Sequence, residues 1–234
     1  MKNKIFCLIP ARSGSKRIKN KNIVNFYGKP IIAYSIIAAI KSRLFQEVYV
    51  STDSKKISKI AKRYGAKIPF LRPRNISNDH SNDDQVINHF LKYMKNKKIK
   101  LDTLCYLYPV APLIKISTLK RCLKLLKKSK NNSVMTVTKI NHSIQRVLRK
   151  NKKNQMVWQN KKFINTRSQD LEKFYQDAAQ CYWHKIKNYK KVKKNNLKIS
   201  GVELSGMEAK DINTSEDLAF LKLLYKFTSK KHKN

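Results

Sequence analysis

The stretch best equipped for chemistry is a basic loop that follows the first apolar run of the chain. Residues 9–22 read IPARSGSKRIKNKN, and Gly14 stands there between Ser13 and Ser15. Glycine lets a backbone turn sharply, so that successive N–H groups can point at one anion. Four cations could then surround a triphosphate: Arg12, Lys16, Arg17 and Lys21. The loop predicts an anion site without the G-K-[ST] ending of a P-loop, and the alternative is a solvated basic loop.

Other kinds of catalytic site find little support in the sequence. The four cysteines form no C-x-x-C pair and have no histidine at ligand spacing, so neither a zinc site nor a disulfide framework is expected. The five histidines are dispersed, and no Ser-His-Asp or Cys-His arrangement stands out. A chain without a disulfide framework is expected in a reducing cytoplasm.

The elements that must position the basic loop alternate between strand and helix. Predicted strands cover residues 4–10, 47–52, 66–71, 103–108 and 133–138. Predicted helices cover residues 31–41, 55–64, 83–95 and a segment that Ser117 caps and that runs to about residue 130. Such alternation indicates a parallel sheet covered on both faces. The basic loop then lies beyond the carboxyl end of the first strand, where open parallel sheets bind ligands.

The rhythm changes between residues 141 and 175. This segment is polar and has only short strand-like pieces, near 145–148 and 156–158, which predict an excursion of hairpins and loops. Strands at 178–183 and 198–204 and a helix from 215 to about 227 then resume the earlier pattern. We expect one domain made of residues 1–140 and 176–228, the inserted excursion 141–175, and a frayed tail at 229–234.

The net charge of +39 invites a nucleic-acid interpretation. Only ten of the 53 basic residues are arginine, however, and the lysines are spread over every predicted helix and loop. A nucleic-acid footprint is patchy and uses arginine forks. We therefore expect weak, salt-sensitive adhesion to polyanions and no specific nucleic-acid partner. The longest apolar runs are too short for a membrane span, and the run 5–10 is too short for a signal-peptide core, so no membrane partner is expected.

Motifs along nearly the whole chain resemble those of the CMP-nonulosonate synthetases, which activate sialic, legionaminic and pseudaminic acids. The family's opening pattern, P-A-R-x-x-S-K and then K-N, has its counterparts in Pro10-Ala11-Arg12, Ser15-Lys16 and Lys21-Asn22. Further counterparts follow in the same order: residues 28–31 (GKPI), 50–53 (VSTD), 71–73 (LRP), 78–79 (ND), 108–112 (YPVAP), 166–170 (TRSQD) and 211–217 (DINTSED). The resemblance implies an α/β fold, a three-layer α/β/α nucleotide-diphospho-sugar transferase-like architecture with a mostly parallel sheet.

The resemblance also implies CTP as a substrate. In the family, the residues matching Arg12 and Lys21 hold the phosphates and stabilise the departing pyrophosphate. Asn22, Arg72 and the loop 78–82 match the cytidine pocket, and a surface ion pair is the alternative for Arg72. The implied CTP contacts are Ala11, Arg12, Ser13, Gly14, Ser15, Lys16, Lys21, Asn22, Arg72, Asn78, Asp79 and Ser81. The implied reaction is attack of an anomeric hydroxyl on the α-phosphorus, in which positioning and charge do most of the work.

A late motif implies Mg²⁺ as the cofactor. The family's D-I-D carboxylates hold this ion, and here the motif reads Asp211-Ile212-Asn213. An amide offers Mg²⁺ an oxygen but no charge. Asp211 is the implied catalytic carboxylate, Asn213 is a weaker metal ligand, and Asp53 is a candidate helper. The alternative for Asn213 is a cap on the closing helix.

The implied sugar site points to one branch of the family. Residues 167–172 (RSQDLE) and 175–183 (YQDAAQCYW) are similar to the run R-S-Q-D-L-E…D-A-G-Q-x-Y-W of the branch that uses pseudaminic acid. Ala179 replaces the glycine of that run, and Gln176 stands where His or Arg is usual. The implied sugar contacts are Tyr108, Arg167, Gln169, Asp177, Gln180 and Tyr182. Arg167 would fork onto the sugar carboxylate.

Several alternatives stay open at this stage. Plain core packing is the alternative for Tyr182 and Trp183. Within the class, the sugar could be sialic or legionaminic acid, whereas a KDO enzyme fits less well because its L-Q-G-D motif is missing. Outside the class, a basic RNA-binding protein could use the same fold. The excursion matches the family's dimerisation subdomain, which implies a homodimer whose partner helps to complete the sugar site.

Overall fold

The computed structural model describes residues 3–189 and 198–230. Strands in this part of the chain are β1 (Ile5–Pro10), β2 (Asn25–Phe26), β3 (Lys29–Pro30), β4 (Glu47–Ser51), β5 (Thr103–Leu107), β6 (Ser133–Lys139), β7 (Leu148–Lys150), β8 (Met156–Trp158), β9 (Tyr175–Lys185) and β10 (Ile199–Leu204). Helices are α1 (Ile32–Ser42), α2 (Lys55–Arg63), α3 (Asp83–Asn96), α4 (Ile116–Lys128), α5 (Ile186–Tyr189) and α6 (Ser215–Lys230). None of these helices is both long and apolar enough to cross a membrane.

A six-stranded sheet forms the centre, in the order β10-β6-β9-β5-β1-β4. Its pairings are parallel except for β9, which runs antiparallel to both β5 and β6. Alternate residues of β1 enter different cores. Cys7 packs in a cluster with α1 and α4, while Leu8 packs against α3 on the other face. Helices therefore cover both faces, which confirms the expected three-layer α/β fold with a mostly parallel sheet.

Two predicted elements differ from the observed ones. Residues 66–71 make only isolated bridges, at Lys67 and Leu71, instead of a strand. Pro69 interrupts this segment and has no N–H to donate to a ladder. The helix that Ser117 was expected to cap begins earlier, at Ile116, and its N-cap position is Lys115, without a side-chain cap.

The segment between β6 and β9 contains a small hairpin and several single turns. Strands β7 and β8 pair antiparallel, and 3₁₀ turns lie at Ile144–Arg146, Lys161–Phe163 and Ser168–Asp170. Its role as a dimerisation unit stays a prediction. At the other end of the chain, α6 continues to Lys230, beyond the predicted end near residue 227, and residues 231–234 of the predicted tail lie outside the described residues.

A third, smaller core ties the end of the chain to its beginning. The two-residue turn between β2 and β3 has positive φ at Tyr27 (46°) and Gly28 (79°), as a type I′ hairpin requires. The turn presents Phe26, whose fully buried ring makes edge contacts with Tyr34 and with Tyr225 of α6. Ile212 and Leu221 belong to the same core as Phe26, with Ile18 of the basic loop packed against it, so this core holds residues 211–213 beside that loop.

The four cysteines are distant in sequence but close in space. Cys7, Cys105 and Cys181 lie on the neighbouring strands β1, β5 and β9, and the Sγ of Cys122 in α4 is 4.0 Å from that of Cys181. All four are buried and free. Burial raises the pKa of Cys105, which disfavours its thiolate form.

Candidate active site

A cleft of about 250 Å³ opens beyond the carboxyl ends of β1 and β5. It brings together most of the predicted nucleotide ligands with parts of the predicted metal and sugar sites. The predicted residues that line it are Arg12, Ser15, Lys16, Arg17, Lys21, Asn22, Arg72, Ser81, Tyr108 and Asn213, whereas Asp79 and Asp211 do not line it themselves. The fold thus gathers residues that are up to about 200 positions apart into one pocket, as expected for a site at the end of a parallel sheet.

One carboxylate organises the first cations of the basic loop. The Oδ1 of Asp79 lies 2.7 Å from Nη1 of Arg12, and its Oδ2 lies 2.6 Å from Nζ of Lys16. These two partners, Lys16 foremost, lower the pKa of Asp79. Arg12 and Lys16 therefore converge on a single anionic group, and the carboxylate marks a position where a phosphate oxygen could meet both.

The backbone of the basic loop is held from two sides. The N–H and the hydroxyl of Ser13 donate to the two oxygens of Asp53, over 2.8 and 2.5 Å, and the buried amide of Asn22 donates to the carbonyl of Arg12 over 2.8 Å. The predicted sharp turn at Gly14 is present, since the N–H of Ser15 donates to the carbonyl of Ser13 over 2.9 Å. The turn does not need a positive φ at Gly14, and a side chain there would meet open space. A left-handed conformation occurs instead at Asn20, with φ at 56°.

Ala11 and Ser13 support the loop rather than line the cleft. Ala11 is fully buried, and its N–H donates to the carbonyl of Ser51 over 2.9 Å. Ser13 is held by Asp53, as described above. Ala11, Ser13 and Gly14 therefore do not line the cleft.

Lys21 connects the basic loop to the predicted metal motif. Its Nζ donates to the carbonyl of Ile212, and the side chain is half-buried. Burial lowers the pKa of Lys21, and the negative charge of Asp211 opposes this shift. Arg17 donates to Oδ1 of Asn213 over 2.7 Å, and the Asn213 amide donates in turn to Oδ2 of Asp211 over 2.8 Å.

The pair Asp211 and Asn213 suits Mg²⁺ in the chemistry of its donors. Mg²⁺ takes oxygen ligands and is commonly held by one or two protein groups together with substrate phosphates and water. The pair offers one carboxylate and one amide oxygen, but these oxygens already accept hydrogen bonds, which a bound ion would have to replace: Asp211 from the Ile212 N–H and the Asn213 amide, and Asn213 from Arg17. No cluster of three or more His, Cys, Asp or Glu suited to a metal exists among residues 3–189 and 198–230. Both oxygens of Asp53, the candidate helper, are already engaged by Ser13.

The cap of α6 does not use the Asn213 side chain, so that alternative is wrong. Asp217 accepts hydrogen bonds at Oδ2 from the N–H groups of Asn213 and Thr214, both over 2.9 Å, and its own N–H donates to the hydroxyl of Thr214. Lys210 contributes an ion pair at 2.8 Å. This ion pair and the two backbone donors lower the pKa of Asp217. The amide of Asn213 is thereby left to face Arg17 and Asp211.

Arg72 is not in a surface ion pair. Its side chain is buried, with only 5 % of the residue exposed, and its Nε donates to the hydroxyl of Ser77 over 3.0 Å. Burial lowers its pKa, and the nearby Tyr106 and Asp53 oppose that shift. Burying a guanidinium is costly without partners, so its remaining donors at the cleft wall are well placed for an acceptor on a ligand.

The loop 78–82 is braced by its own side chains. Oδ1 of Asn78 accepts hydrogen bonds from the N–H of His80 and from the hydroxyl of Ser81, each over 3.0 Å. Asn78 itself does not line the cleft, whereas Ser81 and Asn82 do. Asn82 also caps α3 in a capping box with Gln85. Asn78 therefore acts on the cleft through Ser81.

The predicted sugar residues separate into two groups. Tyr182 lies beside the cleft, with its ring 5.4 Å from that of Tyr108 and its hydroxyl donating to Oδ2 of Asp177 over 2.5 Å. Gln180 is buried, donates to the carbonyl of Glu208, and accepts the N–H of Tyr108 at its own carbonyl, so it supports the wall from behind.

Arg167 and Gln169 are not near this cleft within the chain. The side chain of Arg167 is 73 % exposed and pairs with Asp170 at 2.8 Å. Gln169 lines a separate groove between the excursion and the end of β6. Trp183, in contrast, is fully buried and stacks on Phe45 with 5.4 Å between the rings, which confirms the core-packing alternative for this residue.

Two residues of the cleft wall, Asp83 and Tyr106, were not predicted as part of the site. The oxygens of Asp83 accept hydrogen bonds from the hydroxyls of Tyr106 and Tyr108, over 2.8 and 2.7 Å. Asp83 follows Asn82 directly and was interpreted only as the start of a helix. The available signal was the spacing of Tyr106, in β5, and Tyr108, just after it, because residues two apart in extended chain lie on one face.

The three-layer fold and a basic cleft at the end of its parallel strands are those of a nucleotide-binding α/β protein. The chain belongs to the cytidylyltransferase family, whose family model matches residues 6–228. Pseudaminic acid cytidylyltransferase of Campylobacter jejuni subsp. jejuni serotype O:2 is 37 % identical over 227 residues, 97 % of each chain. CMP-N,N'-diacetyllegionaminic acid synthase of Legionella pneumophila is 36 % identical over 137 residues, 58 % of this chain and 59 % of that one. The solved structure of CMP:2-keto-3-deoxy-manno-octonic acid synthetase with CTP superposes with a TM-score of 0.70 at 17 % identity, over 97 % of this chain and 100 % of the other, which shows the shared fold.

Proposed function

We propose that this chain transfers CMP from CTP to the anomeric hydroxyl of pseudaminic acid, with release of pyrophosphate, to supply surface glycan or flagellin glycosylation. The observation that carries the proposal is the convergence of Arg12, Lys16 and Lys21 on one cleft. The second support is the 37 % identity, over 97 % of this chain, to a pseudaminic acid cytidylyltransferase. The free, buried cysteines suit a reducing cytoplasm as its location.

The cations of the basic loop would bind and activate the triphosphate. A phosphate group can replace the Asp79 carboxylate between Arg12 and Lys16, since both cations already point at one anion. Lys21, at the opposite end of the loop, would stabilise the charge that develops as pyrophosphate leaves. Because these donors are fixed before the substrate arrives, little reorganisation is needed during the reaction.

Asp211 and Asn213 would hold Mg²⁺ against the phosphates. When bound, this ion would neutralise charge on the phosphate oxygens. Lys21 donates to the carbonyl of Ile212 and Arg17 donates to Asn213. These hydrogen bonds keep the basic loop and the 211–213 segment at a fixed separation, so that the phosphates and the ion would be held side by side. We accordingly propose Arg12, Lys21 and Asp211 as the catalytic residues.

On the sugar side, we propose that a second subunit completes the site. Arg167, the expected fork for the sugar carboxylate, is exposed on the excursion and not in this chain's cleft. The β7–β8 hairpin beside it exposes the apolar side chains of Val147, Leu148 and Met156. Covering them against the same surface of a second copy would give an isologous dimer, in which Arg167 and Gln169 serve the partner's cleft.

Two alternatives have specific support. The similarity to a legionaminic acid synthase of Legionella pneumophila keeps that sugar, and sialic acid with it, as the alternative within the class. The net charge of +39 supports the alternative of an RNA-binding protein.

Thermal unfolding with CTP and Mg²⁺, and separately with RNA, at two salt concentrations tests the enzyme against the RNA-binding alternative. Ligands that bind the native state raise its unfolding temperature, and binding by diffuse charge disappears with salt. We expect the CTP shift to survive the higher salt concentration and the RNA shift to vanish. A salt-resistant shift with RNA and none with CTP would contradict the proposed function.

A further inference from the structure

Three side chains on the cleft wall form a hydrogen-bonded unit that triphosphate binding does not require. The two oxygens of Asp83, in the first turn of α3, accept hydrogen bonds from Tyr106 over 2.8 Å and from Tyr108 over 2.7 Å. All three residues line the cleft. Tyr106 is buried and Tyr108 is half-buried, so water competes little for these hydrogen bonds.

This unit fixes what the tyrosines can offer a ligand. A phenol has one hydrogen to donate, and Asp83 takes it from both residues, so only lone pairs of the phenol oxygens remain. Burial, together with the charge of Asp83, raises the pKa of Tyr106 and of Tyr108, and both stay protonated. Tyr182 repeats the pattern beside them, since its hydroxyl donates to Asp177 over 2.5 Å.

We propose that Asp83 is a positioning residue that turns this wall into a row of hydrogen-bond acceptors and thereby selects a substrate group that donates. The proposal rests on the proposed function for the identity of the substrates. They carry such donors in two places, the exocyclic amino group of cytosine and the hydroxyl or amide N–H groups of the sugar. A ligand with an acceptor there, such as O4 of uracil, would face acceptors across a sheltered contact and bind weakly.

Asp83→Asn tests the proposal because an amide has one accepting and one donating group. At least one of the two phenol hydroxyls must then lose its acceptor or reverse its direction. Asp84→Asn is the matched control. It is the next residue of α3, its Oδ1 accepts a hydrogen bond from Tyr189 over 2.7 Å, and it does not line the cleft.

Binding is measured by titration calorimetry, so that the result does not depend on turnover. Affinities are determined for CTP, for UTP and for pseudaminic acid in the presence of CMP. We expect Asp83→Asn to weaken one substrate by roughly tenfold or more, as lost polar complementarity does, while Asp84→Asn stays within about twofold of the wild type. If Asp83→Asn lowers the affinity for CTP and reduces the preference for CTP over UTP, the donating group is the amino group of cytosine. If it lowers only the affinity for pseudaminic acid, the donating group belongs to the sugar.

A double-variant background separates positioning from a general structural effect. With Tyr106→Phe and Tyr108→Phe in place, no hydroxyl is left to orient, so Asp83→Asn should cause no further loss. Full additivity, unchanged binding in Asp83→Asn, or equal losses in the two Asp→Asn variants would overturn the proposal. Normal substrate binding without pyrophosphate release would contradict the proposed function and leave this inference standing.

Discussion

Lys21 is the residue whose charge the proposed chemistry needs most. Its ammonium group links the basic loop to the 211–213 segment at the edge of the cleft. We predict that Lys21→Ala lowers kcat/KM by about 100-fold or more, as the loss of one stabilising donor does, without changing the unfolding temperature. Lys19→Ala, an exposed neighbour that does not line the cleft, is the control. Near-normal turnover of Lys21→Ala would refute the assignment.

The same residue sets an alkaline limit on activity. Burial lowers the pKa of Lys21 below the ordinary value of 10.5, so the charge is lost at a lower pH than for a surface lysine. The charged form is the active one, and kcat/KM should fall as pH rises through this pKa. Lys21→Arg, which keeps its charge to higher pH, should move the fall upward. An unchanged profile would show that another group titrates.

Asn213 is the residue at which this chain departs from the family's metal motif. Asn213→Asp adds a second carboxylate beside Asp211 and keeps an oxygen for Arg17. We predict that the Mg²⁺ concentration needed for half-maximal turnover falls roughly tenfold, equivalent to about 1.4 kcal/mol. Asn154→Asp, in the β7–β8 turn, controls for the added charge. An equal effect in both variants would assign it to long-range electrostatics instead of ligation.

At the scale of elements, β9 contains a strained residue. Ala179 has φ at 48°, next to the register shift between β6 and β9, and it replaces the glycine of the sequence run that residues 175–183 resemble. A left-handed conformation destabilises the folded state by about 1–2 kcal/mol when the residue is alanine. Replacing alanine with glycine removes this strain but lowers the free energy of unfolding by roughly 0.5–1 kcal/mol, because glycine makes the unfolded chain more flexible. We predict that Ala179→Gly raises the free energy of unfolding by about 0.5–1 kcal/mol in urea.

Ala178→Gly is the control for that prediction. Ala178 is buried in the same strand and is not among the residues with positive φ. Glycine relieves no strain there and loses a buried methyl group, so it should destabilise the protein by about 1 kcal/mol or more. Destabilisation by both substitutions would contradict the strain at Ala179.

The sequence predicted most of the elements because their signals are local. Ser54 and Asn82 cap α2 and α3, and apolar runs form the central strands. The direction of β9 could not be predicted, because an apolar run looks the same whether it pairs parallel or antiparallel. Residues 66–71 were predicted as a strand from their apolar side chains, but Pro69 removes a donor that a ladder needs.

The site was predicted less evenly than the fold. Arg12, Lys16 and Lys21 were found because they lie close together in the sequence and match a known motif. Asp83 was missed because its role depends on Tyr106 in β5 and Tyr108 just after it, which only folding brings to it. The positions of Arg167 and Gln169 could not be predicted either, since no periodicity fixes the path of the excursion.

At the scale of the whole molecule, the β7–β8 hairpin carries the proposed dimer contact. Met156 is 64 % exposed, and a charge there would be buried in an apolar interface. We predict that Met156→Glu yields a monomer in sedimentation velocity. The KM for the sugar should rise, because Arg167 would no longer reach a partner's cleft, and CTP binding should not change. Gln159→Glu, exposed on the same segment, is the control. A wild-type monomer with full activity would contradict the shared site.

The most direct measurement is pyrophosphate release from CTP and Mg²⁺, with pseudaminic acid and N-acetylneuraminic acid supplied separately. The account predicts release with pseudaminic acid and little with N-acetylneuraminic acid, since residues 167–183 are similar to the branch that uses the former. Release with N-acetylneuraminic acid alone would contradict the choice of sugar but keep the family. No release with either sugar would contradict the proposed function.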